Sequence, residues 1–342
     1  MSGPVAPQVF NRDTMTTTIL PWHQPLWDSL QARRKSAVLP HALLLCGPRG
    51  LGKQIFATQL AQSWLCAKPQ ADGQACQHCR PCTLFRTGAH PDYRRVGPEE
   101  DSKVIKIDQI RALCATLSMT SQYGGYQITQ IDPADTLNRN AANSLLKTLE
   151  EPTPETLLFL VTDRPAGLPA TILSRCQRIL FKTPPTAVSR SWLQGQLPAG
   201  QDIDILLSLA EGAPLRALAL AQGDALQRRR ALFGDLAQVA RAAADPVAVA
   251  GGWFKTDIKE TLDWLRTAVM DMIRLKAAGP ARLVNSDLGK ELQSLADGLD
   301  LQALYGHLDQ LTQAARLADT SVNPQLLLEE LLIPWTQARR AH

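Results

Sequence analysis

Four of the seven cysteines stand close together, Cys66, Cys76, Cys79 and Cys82, in the spacing Cys-x9-Cys-x2-Cys-x2-Cys. Thiolates are soft ligands, and four of them make the closed tetrahedron of a structural Zn²⁺ site. Three ligands within seven residues, with a fourth just upstream, can converge on one ion with little rearrangement of the chain. A redox Cys-x-x-Cys pair is the rival reading. It needs one low-pKa thiol and leaves Cys66 and Cys82 without a role. His78 lies between two of the ligands and reads as a spectator. Cys46, Cys114 and Cys176 sit in apolar or strand-like runs and read as small core residues.

A second chemistry is written in Gly47-Pro48-Arg49-Gly50-Leu51-Gly52-Lys53-Gln54, which follows the apolar run Leu43–Cys46 and precedes a helical stretch through Leu65. That setting of strand, loop and helix is what makes G-x-x-x-x-G-K a phosphate loop. Gly47, Gly50 and Gly52 let backbone N–H groups turn inward, the helix N-terminus adds positive potential, and Lys53 reaches the outer phosphates. A glycine-rich turn that only packs helix against strand is the alternative. The eighth position holds Gln54, where a Ser or Thr hydroxyl would ligate Mg²⁺, and an amide is a longer, poorer replacement.

The companion motif is Ile128-Thr129-Gln130-Ile131-Asp132, with Asp132 placed to hold metal through water. A glutamate that polarises the attacking water would follow it in an ATPase of this type. Here Pro133, Ala134 and Asp135 come next, and proline can neither accept a proton nor orient water. Both departures point the same way: hydrolysis is not expected, and ATP binding stays open.

Positioning these residues calls for a parallel α/β sheet. From Trp22 to about Phe181 short apolar runs alternate with amphipathic stretches. The expected strands are Ala42–Cys46, Tyr93–Val96, Tyr126–Ile131, Leu157–Val161 and Arg178–Phe181. Leu137–Leu149 sets Leu137, Ala141, Leu145 and Leu149 on one helix face, and Pro152 and Pro154 stop it. After Thr183-Pro184-Pro185 the strand signals end and helical patterns dominate. Gly212 to Gly223 reads as a break between two helical parts. In the second of these, Ile258, Leu262, Leu265 and Val269 form an apolar stripe, with further helices expected over Leu301 to Leu317 and Pro324 to Arg339. The run Arg228-Arg229-Arg230 reads as a solvated helix face.

The chain has 342 residues, 45% hydrophobic and 20% charged, which suits two or three globular domains rather than disorder. Its formal net charge of +4 is too small to imply a nucleic-acid partner. No apolar run is long enough to cross a membrane, and the first 18 residues, through Thr18, carry no basic-then-apolar order. Cytoplasmic residence is therefore expected, where disulfides are rare. Met1 and Met15 are both open as the start.

The order of the features is distinctive: Gly47 to Lys53, the four cysteines, Gly124-Gly125-Tyr126, Asp132, Asn143-Ser144-Leu145-Leu146-Lys147-Thr148-Leu149-Glu150-Glu151-Pro152, then Leu173-Ser174-Arg175-Cys176. It resembles the bacterial clamp-loader ATPases of the AAA+ group, over about Trp22 to Arg340. Leu145–Pro152 together with Ser174-Arg175-Cys176 is the most specific part. Asn323-Pro324-Gln325-Leu326-Leu327-Leu328-Glu329-Glu330-Leu331-Leu332 is similar to the family's last collar helix. Gln54 and Asp132-Pro133-Ala134-Asp135 look like a non-hydrolysing subunit of the family rather than its ATPase.

The resemblance implies an α/β plus all-α protein. Residues 1–18 would be an N-terminal extension, 19–183 an AAA+ α/β domain with a zinc module at about 66–92, 184–223 a helical lid, and 224–342 a helical collar that forms the oligomer. It further implies gamma/tau and delta subunits as partners, and through their complex the sliding clamp and primed DNA, with no membrane contact. Arg175 matches the family's trans-acting arginine, which enters a neighbour's ATP site. Thr162 and Asp163 fall where the first sensor lies, and Arg216 where a second could lie. An active ATPase of gamma/tau type is the alternative, but would want Ser or Thr at Gln54 and Glu at Pro133. A zinc-dependent nucleic-acid-binding module is another, but would want a basic stripe interleaved with aromatics, which are 5% of the chain.

Overall fold

A computed structural model describes residues 18–100, 102–279, 283–318, 320 and 322–337. The expected N-terminal extension, both candidate starts included, lies outside the described residues except for Thr18. The described chain falls into two compact units. One runs up to Trp192 and takes in Ala213–Arg216, and the other holds Leu193–Gly212 and Ala217 onward.

In the first unit the elements alternate as the apolar runs require: α1 (Gln24–Lys35), β1 (Ala42–Cys46), α2 (Lys53–Leu65), α3 (Arg80–Arg86), β2 (Tyr93–Val96), α4 (Ile107–Leu117), β3 (Gln127–Ile131), α5 (Arg139–Glu150), β4 (Thr156–Thr162), α6 (Ala170–Leu173), β5 (Gln177–Leu180) and α7 (Thr186–Gln194). The five strands form one sheet in the order β2-β3-β4-β1-β5, and every neighbouring pair is parallel. Strands buried on both faces need apolar side chains at successive positions, and β1 and β4 are buried along their whole length. Their side chains alternate between two cores. Leu43, Leu45, Phe159 and Val161 pack with Trp27, Phe56, Leu60 and Trp64. Leu44, Cys46, Leu158 and Leu160 pack on the other face with Ile110, Leu113, Leu145 and Leu149. α5 starts at Arg139 rather than at the expected Leu137 because the Asn138 side chain caps it, accepting from the Ala141 N–H at 2.8 Å.

The other unit is helical: α8 (Ile203–Leu209), then, beyond the shared α9 (Pro214–Gln222), α10 (Ala225–Ala240), α11 (Pro246–Trp253), α12 (Ile258–Ala278), α13 (Gly289–Asp297), α14 (Leu301–Leu317) and α15 (Pro324–Gln337). The expected break from Gly212 to Gly223 is in fact α9, with Pro214 at its first position, where a missing N–H costs nothing. The stripe on α12 faces inward: Leu262, Leu265 and Val269 are buried and Ile258 half-buried, so it is core of its own bundle. The arginine run is also corrected. Arg229 is 1% exposed and Arg228 pairs with Asp224 and Glu260, which leaves only Arg230 solvated. One helical step of about 100° turns the middle residue inward, where Asp287 waits. No helix among the described residues is long and apolar enough to cross a membrane.

Candidate functional site

Parallel strands end on one edge of their sheet, and the register brings the expected residues to that edge. Cys46 of β1 pairs with Thr162 of β4, and Ile131 of β3 with Leu160. The loop after Cys46, Asp132 after β3, and Thr162 and Asp163 at the end of β4 therefore leave the sheet side by side. The loop has left-handed backbone at two of its glycines, with φ of 81° at Gly50 and 82° at Gly52. Gly50 is also a close approach: an added Cβ would lie 2.6 Å from that of Arg216, and the Leu215 N–H donates to the Gly50 carbonyl at 3.1 Å. The structure thus places Arg216 against the loop. A Cβ on Gly47 would meet the Phe181 carbonyl oxygen at 2.2 Å.

Lys53 opens α2 and is buried. Its ammonium turns back on its own loop, donating to the carbonyls of Gly47 and Pro48, both at 2.7 Å, and pairing with Asp163 Oδ1 at 2.6 Å. An ammonium has three donors, and these partners occupy all three. Asp132 lies mostly buried at the end of β3, where Arg95 Nη2 donates to its Oδ2 at 3.1 Å. Burial pushes the Asp132 carboxyl up from its ordinary value, against the Arg95 charge that pulls it down. Thr162 donates to Asp135 Oδ1 at 2.7 Å, and Arg164 Nε to Asp135 Oδ2 at 3.1 Å. The acidic residue two places beyond Pro133 is thereby committed to its own chain.

Sequence reasoning missed the groups that brace the loop from outside. The ring N–H groups of Trp22 and His23 converge on the Leu51 carbonyl, at 2.9 Å and 2.7 Å. Burial lowers the His23 pKa to about 4, so the ring is neutral at pH 7. A carbonyl can only accept, so Nε2 carries the proton. His23 packs edge-on against Phe56 and Phe181. The signal for this brace was the Trp-His pair ahead of α1, which means little without the fold.

The cysteines converge as expected. Cys66 ends α2, Gln77 turns the knuckle with φ of 68°, Cys79 precedes α3, and Cys82 sits in its first turn. The four Sγ atoms lie within 4.8 Å of one another, with Cys66 at 3.5 Å from Cys76 and 3.8 Å from Cys79. A tetrahedron with metal–sulfur bonds of about 2.3 Å has edges of about 3.8 Å, so the donor set fits one soft ion. Backbone N–H groups of Lys68 and Cys76 point at the Cys66 sulfur, and that of Cys79 at the Cys76 sulfur. The His78 N–H holds the Cys76 thiol down at about 6, while burial pushes the Cys66 and Cys82 thiols up. The His78 ring turns to the Cys76 carbonyl, not to the sulfurs. Cys46 and Cys176 are buried in the core, and Cys114 is half-buried against it.

Arg175 stands apart from these groups, just before the edge strand β5. Its Nη2 pairs with Glu150 at 2.6 Å and its Nη1 donates to the Thr171 carbonyl at 3.0 Å.

Comparison with known proteins reaches most of both units. The family described as "DNA polymerase III, delta subunit" matches residues 22–185, and "DNA polymerase III, delta subunit, C terminal" matches 223–337. The DNA polymerase III subunit delta' of Pseudomonas aeruginosa is 36% identical over 324 residues, 93% of this chain and 97% of its own. That of Escherichia coli is 33% identical over 324 residues, 92% of this chain and 94% of its own. The DNA polymerase III subunit tau of Bacillus subtilis is 32% identical over 206 residues, 58% of this chain and 35% of its own. With relatives more than 30% identical over more than nine-tenths of its length, the chain belongs to the delta-prime subunit family of DNA polymerase III.

Proposed function

We propose that this chain is the non-hydrolysing delta-prime component of a clamp loader, acting with gamma/tau and delta subunits to place a sliding clamp on primed DNA. Its relation to delta-prime subunits over nearly the whole chain carries the reading. The phosphate loop supports the non-hydrolysing part. Lys53 is held by its own chain, Gln54 offers no hydroxyl, and Pro133 stands where a water-orienting carboxylate would be. In this reading 19–183 is the AAA+ domain, 184–223 the lid and 224–342 the collar, Zn²⁺ fills the cysteine site, and the protein works in the cytoplasm. The isolated chain is expected to hydrolyse ATP at background rate even with saturating Mg²⁺ and nucleotide. Robust turnover that disappears in Lys53→Ala would overturn the non-hydrolysing reading.

Arg175 completes the proposal by acting on a nucleotide bound by a neighbouring gamma/tau subunit. A chain without a hydrolytic site has no use of its own for such an arginine. Glu150, its present partner, is half-exposed, and a surface pair of this kind is worth about 0–1 kcal/mol, easily exchanged for phosphate oxygens. Trans arginines raise turnover roughly 10³–10⁵-fold in the best-studied nucleotide hydrolases. In a reconstituted complex only one of several sites depends on this chain. Arg175→Ala is therefore expected to lower clamp- and DNA-stimulated ATPase by about one site's share, and Lys to rescue poorly because it cannot fork. Unchanged turnover in an intact complex would reduce Arg175 to an ion-pair residue.

A further inference from the structure

The place where a phosphate loop keeps its divalent ion is taken here by a cation of the chain itself. In an active loop the hydroxyl of the eighth residue and the aspartate ending the next motif's strand share one Mg²⁺. Gln54 and Asp132 stand at those positions, and both turn to Arg95. Arg95 Nη2 donates to Asp132 Oδ2 at 3.1 Å. With its amide oxygen facing the guanidinium, Gln54 accepts from Arg95 Nη1 at 2.9 Å and from Nη2 as well. The topology sets this up. Arg95 lies on the edge strand β2, opposite Gln130 of β3, two residues before Asp132, and the planar fork spans both acceptors.

The surroundings close the same way. Gln130 is fully buried and accepts from Thr58 at 3.1 Å and Tyr93 at 2.9 Å, so its amide nitrogen side faces Asp132. The other carboxylates at this edge are taken as well, Asp163 by Lys53 and Asp135 by Thr162 and Arg164. Magnesium wants six oxygen ligands at about 2.0–2.1 Å and sheds water reluctantly. A guanidinium bonded to two of its prospective ligands excludes it both by charge and by volume. The residues present do not fit a Mg²⁺–nucleotide complex.

We propose that the Arg95 guanidinium stands permanently in the divalent-cation position of this loop, bridging Gln54 and Asp132, so that the loop keeps its shape without magnesium. The proposal rests on the non-hydrolysing reading but goes beyond it, since a chain can fail to hydrolyse ATP and still need Mg²⁺. Thermal melting of the full chain in chelator-free buffer, with and without millimolar MgCl₂, tests it while leaving the cysteine site undisturbed. The wild type is expected to melt at the same temperature in both buffers. Arg95→Ala, at a half-exposed position, is expected to fold, to melt lower without magnesium, and to recover about 2–4 °C when magnesium is added. In Arg95→Ala/Asp132→Ala that recovery should vanish, which would locate the ion at Asp132. A wild-type chain that gains as much from magnesium as Arg95→Ala would overturn the proposal. So would an Arg95→Ala chain that neither loses stability nor responds to the ion. Neither result touches the non-hydrolysing reading, which is read from turnover instead.

Discussion

Removing the metal from the cysteine site is expected to unfold the segment from about Cys66 to Cys82 while the parallel sheet persists. The reason lies in what the module has for a core. Its buried cluster consists of Cys66, Cys82 and Ala75, with Cys76 and Cys79 packed against them. Apart from one alanine, every side chain in that cluster is a ligand, so too little apolar surface is buried to offset the entropy of ordering the loop. Structural zinc binding is worth about 10–16 kcal/mol in peptides, and that free energy is the folding free energy of such a module. Cys76→Ser should act like chelation, because three thiolates leave the tetrahedron open. Protein purified without chelator should carry one Zn²⁺ per chain. Amide exchange in this segment should rise steeply in Cys76→Ser, while β1 and β4 stay protected. Elemental analysis without zinc, or unchanged exchange in the variant, would remove the assignment.

The second large effect is expected in the helical unit. Asp271 is fully buried on α12, where it accepts from the Asn285 N–H at 2.7 Å, Asn285 Nδ2 at 2.9 Å, the Val284 N–H at 3.1 Å and Arg274 Nη1 at 2.7 Å. Asn285 in turn accepts from buried Arg229, which forks onto Asp287 at 2.8 Å and 2.9 Å and lies over the Phe233 ring. Every charge in this network has a partner, which is the condition under which buried charges are tolerated. Asp271→Ala removes four acceptor bonds at once and leaves buried donors unsatisfied. Arg274 is half-exposed and can turn to water, so the loss comes from the Asn285 and Val284 donors, each worth about 1–3 kcal/mol when left buried and unsatisfied. The urea midpoint of this unit should fall markedly, with Asp271→Asn falling less. A loss within about 0.5 kcal/mol, as at a typical surface site, would show the network to be dispensable.

How far the sequence alone could reach depended on whether a residue's role is local. β1 and β2 lie where their apolar or β-type runs, bounded by turn residues, were expected to put them; β3 starts one residue later than expected, and β4 and β5 differ by a residue at each end. The cysteine cluster was legible because ligand chemistry and spacing are both local. Arg95 was not, because its role depends on which strand lies beside β3, and register is a property of the fold. Arg229 was misread for the same reason: three adjacent arginines look alike until a helix turns one of them toward Asp287. The inward turn of Lys53 was hidden as well. The motif specifies a lysine at the loop, but the carbonyls and the Asp163 carboxylate that capture it are set by how β1 and β4 end together. α9 was lost because Gly212 and Gly223 read as one long break, although Pro214 between them is a helix-start signal.

The central claim, that this chain is a clamp-loader component, is tested most directly by reconstitution. The purified full-length chain is mixed with gamma/tau and delta subunits, the mixture is resolved by size, and the complex is assayed for loading the sliding clamp onto primed DNA. The account predicts a stable complex containing this chain, with ATP-dependent clamp loading that falls to background when the chain is omitted. A chain that elutes alone, or clamp loading that proceeds equally well without it, would contradict the account.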